Sequence, residues 1–488
     1  MNIKMLVYIL GKVLLIEGAL MLLPVVCGAF YAEKEFFVYL VLAAAYMIAG
    51  FFISLKKPKN MTVFIKDGCV ATALSWLVLS ICGCIPFMIT GEIPSFTDAM
   101  FETASGFTTT GASILTNIEA MSHTSLLWRS LTHWIGGMGV LVFLLAVVPM
   151  TGGSNMNLMR AESPGPTVGK IVPKVRSTAK MLYYIYLAMT LIEIILLFVC
   201  GMPLFDSVCS AFGTAGTGGF GIKNDSFTSY APHIQWIVAV FMLMFGANFN
   251  FYYYLVTRQG AKAFKMSETK VYLAVAAVAT ALVCFSIYGQ YNNLEESLRH
   301  SLFQVATCMT TTGFATTDFD LWPTLAKFVL VALMFIGACA SSTGGGIKIS
   351  RFQIMFKTIK REIESYIHPK TVKKIHLDGK TVDNDVERSV ALYFFIYLIV
   401  FVGSMLIVAF EGHDLETVFT SVAATLNNIG PGLSLVGPTQ NYSFFSDLSK
   451  WVLIFDMLAG RLELIPILVF LNPFTYKGII KKAPKIQG

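Results

Sequence analysis

The residues best suited to chemistry in this chain lie in four short stretches: SGFTTTGAS, TAGTGGFG, CMTTTGFA and LNNIGPG. They align without gaps on Gly111, Gly219, Gly313 and Gly430. Two places before each glycine stands an oxygen-bearing side chain: Thr109, Thr217, Thr311 or Asn428. Between them lie Thr110, Gly218, Thr312 and Ile429. No ring of acidic side chains accompanies these columns, so the available ligands are backbone carbonyls. A desolvated monovalent cation needs several oxygen ligands at once, and rings of carbonyls supply them. Pointing successive carbonyls at one axis demands backbone conformations that glycine accepts and other residues resist. A single stretch of this kind reads equally well as a glycine-rich turn. Four in equivalent positions argue for a shared site.

The elements that must position them are membrane helices. Of 488 residues, 55% are hydrophobic and only 13% charged, well below the charge content of a soluble domain. Apolar runs of spanning length fall near 6–30, 36–55, 69–90, 124–149, 180–200, 233–256, 271–289, 323–347, 388–410 and 449–471. The first is too long for a signal-peptide core and reads as a retained helix. Basic residues gather in alternate loops, including a dense stretch from Lys348 to Arg388. The positive-inside rule makes those loops and both termini cytoplasmic. Seven His are dispersed, which disfavours a membrane enzyme. The nine Cys show no metal-ligand spacing and read as small apolar residues. Glu17 and Glu193, lone acids in apolar runs, read as packing or interfacial groups.

Each glycine stretch is preceded by one span and followed by another, and the glycines are 108, 94 and 117 residues apart. Such repetition defines the architecture: an all-α integral membrane protein. It has two N-terminal helices and four pseudo-repeats of helix–pore-loop–helix around one central pore. The expected boundaries are 1–67 for the N-terminal pair, 68–152, 153–262 and 263–350 for pore repeats 1 to 3, 351–387 for a cytoplasmic segment, and 388–488 for pore repeat 4. Non-helical backbone at membrane depth is tolerated where protein buries it or water lines it, and a pore offers both. Short re-entrant helices would aim their partially negative C-terminal ends at the ion path. Copy two, TGGFG from Thr217 to Gly221, comes nearest to the potassium-channel signature TVGYG.

These stretches, with HWIGGMGVLVF (133–143), STGGGIK (342–348) and AGRLELIP (459–466), resemble the Trk/Ktr/HKT superfamily of potassium transporters, and within it the bacterial Trk-type membrane subunit. The resemblance covers essentially the whole chain. It implies potassium uptake across the bacterial cytoplasmic membrane, with potassium as transported ion and no organic cofactor in this chain. It also implies a homodimer in the lipid bilayer, working with a cytosolic ring of nucleotide-binding regulatory (RCK-type) domains. A serine at the first filter position accompanies sodium permeation in plant relatives; Gly111 stands there here. Sodium conduction, or potassium transport coupled to sodium or protons, is the alternative within the same fold.

Two further features stand out in the spanning runs. The stretch GACASSTGGGIKIS carries Gly344, Gly345 and Gly346, which a regular membrane helix cannot accommodate well. It lacks the Gly-Lys-Ser/Thr of a phosphate loop, and it fits either close helix packing or, as the resemblance implies, a gating loop. Arg461 lies inside the last spanning run, and a charge at that depth points to function. It reads as pairing with Asp456 or Glu463 and, by resemblance, as facing the ion path as a positive obstacle; the two can hold together. In the cytoplasmic segment IHLDGKTV predicts a small hairpin with an Asp-Gly turn. Nothing in the basic loops calls for nucleic acid as a partner, since flanking helices explain their charge.

Overall fold

A computed structural model describes residues 1–58, 63–139, 175–369, 373–378 and 380–477. The described chain is helical except for one antiparallel hairpin, which pairs His376 with Thr381 and Leu377 with Lys380. Asp378 adopts φ +50° there, as the tight turn predicted for IHLDGKTV requires. Among the described residues, six helices are long and apolar enough to cross a membrane: Ile3–Phe30, Phe36–Ser54, Ile65–Thr90, Ala179–Val199, Ser267–Tyr291 and Asn384–Glu411. The first two pack closely against each other, and the first also packs on Ile65–Thr90. Glycines permit that approach: a Cβ at Gly50 would lie 2.6 Å from the Gly11 carbonyl oxygen, as small-residue helix contacts in lipid require.

The other four long helices open the four repeats. Each is followed by a short pore helix: Phe96–Phe107, Leu204–Gly216, Leu294–Met309 and Leu415–Leu426. Side-chain caps start three of them, with Ser95, Asn293 and Asp414 accepting the first free N–H groups, where Ser, Asn and Asp are the favoured acceptors.

The helices that follow the filter differ from expectation. They span only His123–Met138, Pro232–Gly246, Thr324–Ile336 and Asp447–Arg461. The runs 233–256 and 449–471, expected as continuous spans, are broken, and 323–347 is interrupted where the stretch GACASSTGGGIKIS predicts it. The second repeat turns by 90° between Gly246 and Phe249. The third ends at Gly337 with φ +69°, and the fourth at Glu463 and Leu464 with φ +56° and +66°. In the first repeat the helix stops at Gly139, φ +77°, and the rest of 124–149 lies outside the described residues. An average over a spanning window hides the breaks of the second and fourth repeats, although Asn248 stands at one and Arg461 and Glu463 at the other.

The breaks bring small residues against the pore-helix C-termini. A Cβ at Gly136 would overlap the Phe107 carbonyl oxygen, one at Gly460 the Leu426 carbonyl oxygen, and one at Gly246 would lie 2.6 Å from Thr310 Cγ2. Glu17 and Glu193 are buried within the protein rather than interfacial. Lys348 and Arg351, counted with the cytoplasmic basic stretch, are also buried.

Candidate functional site

Each pore helix ends in the same way. The residue after its last turn is left-handed: Thr109 at φ +56°, Thr217 at +55°, Thr311 at +58° and Asn428 at +57°. The next N–H reaches back to the helix: Thr110 to Ser105 O at 2.9 Å, and Gly218 to Gly213 O, Thr312 to Thr307 O and Ile429 to Ala424 O at 2.8 Å. This is a Schellman closure, and glycine is its usual left-handed residue. The aligned glycine then takes positive φ again: +80° at Gly111, +79° at Gly219, +90° at Gly313 and +96° at Gly430. The three columns found in the sequence therefore form one backbone motif built four times.

The four motifs close into a ring. A Cβ on Gly111 would overlap the Gly218 carbonyl oxygen, one on Gly219 that of Thr312, and one on Gly313 that of Ile429. A Cβ on Gly430 would lie 2.7 Å from the carbonyl oxygen of Thr110, which returns the path to the first repeat. Each wall thus packs its glycine against the middle residue of the next wall, in the order one, two, three, four. Hydrogen bonds cross the interfaces too: Phe227 N to Ala315 O and Tyr442 N to Ser113 O at 2.8 Å, and Asn428 Nδ2 to Thr110 Oγ1 at 2.9 Å. The Thr and Asn side chains are buried, as are Thr110, Thr312 and Ile429, whereas Gly111, Gly219 and Gly313 are partly open.

The loop of the third repeat lies against the same ring, on the side of the pore-helix C-termini. Gly345 N donates to Thr311 Oγ1 at 2.6 Å, and Gly346 N to Asn427 O at 3.1 Å. A Cβ on Gly344 would come 2.8 Å from Thr310 O. Lys348 Nζ donates to Gly344 O. Arg461 donates to Thr343 O at 2.8 Å, Gly136 O at 2.6 Å and Gly137 O at 2.7 Å. It thereby ties the loop of repeat three to the helix break of repeat one. The expected ionic partners are engaged elsewhere: Glu463 pairs with Arg351, and Asp456 accepts from Ser404 Oγ at 2.7 Å. Carbonyl oxygens at a helix break suit a guanidinium because they are unsatisfied acceptors carrying partial negative charge.

Three residues beside the ring were not singled out from the sequence. Glu102, Arg129 and His133 are buried and bonded to the first and second walls. A charged residue inside the apolar run 124–149 was the available signal for Arg129. His133 carried no such signal, because its partners are distant in sequence.

A single chain that folds four helix–pore-loop–helix repeats into a closed ring defines a class: integral membrane proteins with one pseudo-fourfold pore per chain. A family model described as TrkH, cation transport protein, matches residues 36–473. This chain belongs to that family, and is accordingly a transport protein and not an enzyme. It is 35% identical over 421 residues to the Trk system potassium uptake protein TrkH of Salmonella typhimurium, covering 84% of this chain and 86% of that one. It is 32% identical over 484 residues to the TrkH of Halomonas elongata, covering 98% and 100%. The crystal structure of the potassium transporter TrkH from Vibrio parahaemolyticus superposes with a TM-score of 0.88 at 30% identity, covering 98% of this chain and 100% of that one.

Proposed function

We propose that this chain is the potassium-translocating membrane subunit of a Trk-type uptake system in the bacterial cytoplasmic membrane. The closed ring of four glycine walls carries the reading. An incoming ion sheds water at the ring and exchanges it for carbonyl oxygens of the columns 109–111, 217–219, 311–313 and 428–430. The Glu102 carboxylate near the first wall is neutralised by Arg129 at 2.6 Å, so carbonyl dipoles carry the recognition. The loop Gly344–Gly346 and Arg461 form the gate on the cytoplasmic side. The names of the relatives support potassium as cargo. They also support a multi-component system, here a homodimer with a cytosolic nucleotide-binding RCK-type ring. The basic loops support a reading with both termini inside.

Gly219→Ser tests the filter. Any Cβ there overlaps the Thr312 carbonyl, so wall two must shift away from wall three. Potassium uptake over sodium should fall in cells that depend on this protein for potassium. Unaltered selectivity in a variant that reaches the membrane would overturn the filter assignment.

Coupling to protons or sodium is the second reading. It is favoured by Glu17, a fully buried acid that has no hydrogen-bond partner among the described residues. Such a group is costly to keep charged. Potassium flux in proteoliposomes that is unchanged by an opposing proton or sodium gradient would eliminate this reading.

A further inference from the structure

The second wall, which matches the potassium-channel signature best, is not held by its own repeat alone: beyond the closure of Gly218 on Gly213, its outgoing residues have partners in another repeat. They hang from the post-filter helix of repeat one. Arg129 Nη1 donates to Gly221 O at 2.8 Å, and its guanidinium lies 3.5 Å from the centroid of the Phe220 ring. One turn further along the same helix, His133 Nε2 accepts from Phe220 N at 3.2 Å, while its Nδ1 bonds to Gly106 O at 2.7 Å. The imidazole is therefore the neutral tautomer with the proton on Nδ1. Its ring fills the space beside Gly218 so completely that a Cβ there would overlap it. Two side chains thus grip the backbone at residues 218, 220 and 221, on either side of Gly219. Glu102 completes the assembly. It takes the Arg129 Nε–H at 2.6 Å and accepts from Ser113 Oγ and Ile114 N at 3.0 Å. The same carboxylate therefore fixes the outgoing strand of wall one.

We propose that Arg129 and His133 are specificity-determining positioning residues. They set the spacing between walls one and two of the filter without contacting the ion. The inference rests on the reading of these loops as a cation filter. The physical basis is the pairing of rigidity with neutrality. The planar guanidinium bonds a carboxylate, a carbonyl and an aromatic face at once, which an ammonium cannot do. Because Glu102 cancels its charge, the pair holds the wall while adding no net field that would repel a cation.

Arg129→Lys retains the charge opposite Glu102 and loses the simultaneous grip on Gly221 O and Phe220. His133→Asn keeps a donor within reach of Gly106 O and loses the acceptor for Phe220 N. Both variants are compared with wild type for rubidium and sodium uptake relative to potassium, in proteoliposomes at matched protein content. The expected result is a discrimination ratio lowered by about tenfold, the order of one buried hydrogen bond. Phe220→Leu, which removes only the stacking surface, is expected to move the ratio in the same direction. If either substitution at 129 or 133 prevents assembly, the remaining variants still decide. Ratios equal to wild type in every variant that assembles, whatever the total flux, would overturn the proposal. Wild type alone tests the potassium reading: if it prefers another cation, that reading falls, and the clamp is judged on the preference wild type shows.

Discussion

Three of the four left-handed residues that end the pore helices are threonines, Thr109, Thr217 and Thr311. A β-branched residue there costs on the order of 1–3 kcal/mol, and such strain persists only where the surroundings over-determine it. The hydroxyl of Thr311 shows what is gained, since it accepts the Gly345 N–H at 2.6 Å and so joins the filter to the loop proposed as gate. Thr311→Val keeps the shape and strands that N–H, a loss of about 1–3 kcal/mol for a buried donor. The loop should then leave the ring more often, and basal rubidium flux into vesicles should rise about tenfold or more. Flux equal to wild type would show that this hydrogen bond does not hold the loop.

At the scale of elements, the pore helices depend on their outer caps as well as on their closures. Asp414 accepts from Thr417 Oγ1 at 2.6 Å and Thr417 N at 3.0 Å at the start of the fourth pore helix. These bonds, the side-chain one first, hold its carboxyl below the usual range. A carboxyl with a lowered pKa stabilises the fold above its unfolded pKa and loses that contribution as pH falls through the folded value. Acidification should therefore lower the melting temperature of the purified protein by a component missing from Asp414→Asn. Because Asn caps a helix about as well as Asp, the variant should keep most of its stability at neutral pH, whereas Asp414→Ala should lose about 1 kcal/mol. Identical pH profiles for the two proteins would remove the cap from the account. Pore helices of this kind were legible from the sequence because their ends repeat in register with the glycines. The break after Ile336 was also legible, from GACASSTGGGIKIS, whereas those at Gly246 and Leu464 were not, since a window of spanning length averages Asn248 and Arg461 with their apolar neighbours. Arg461 was legible as a buried charge, but not its partners, because backbone carbonyls leave no mark in the sequence.

At the scale of the whole molecule, the ring is covalently continuous from repeat one to repeat four but must close without a covalent link between four and one. That interface carries Asn428 to Thr110, the contact of Gly430 with Thr110 and Gly111, and Tyr442 to Ser113. On the outer side Lys450 pairs with Asp98 at 2.6 Å. Its contacts are of the same kind as those between repeats joined in sequence, so closure rests on side-chain and backbone complementarity rather than on chain connectivity. Repeats three and four are joined through the helix Ile349–Ile367 and the hairpin at 376–381, remote from the ring in sequence. A chain ending at residue 383 would leave the carbonyls of Thr110 and the face of Gly313 without their partner wall. It should support no potassium-selective uptake. Residues 384–488 expressed as a separate chain in the same cell should restore growth in low potassium. Restoration should fail when the second chain carries Gly430→Val, whose side chain would be forced against Thr110 and Gly111. Selective uptake by the three-repeat chain alone would show that the fourth wall is dispensable, and with it the closed ring on which the filter assignment stands.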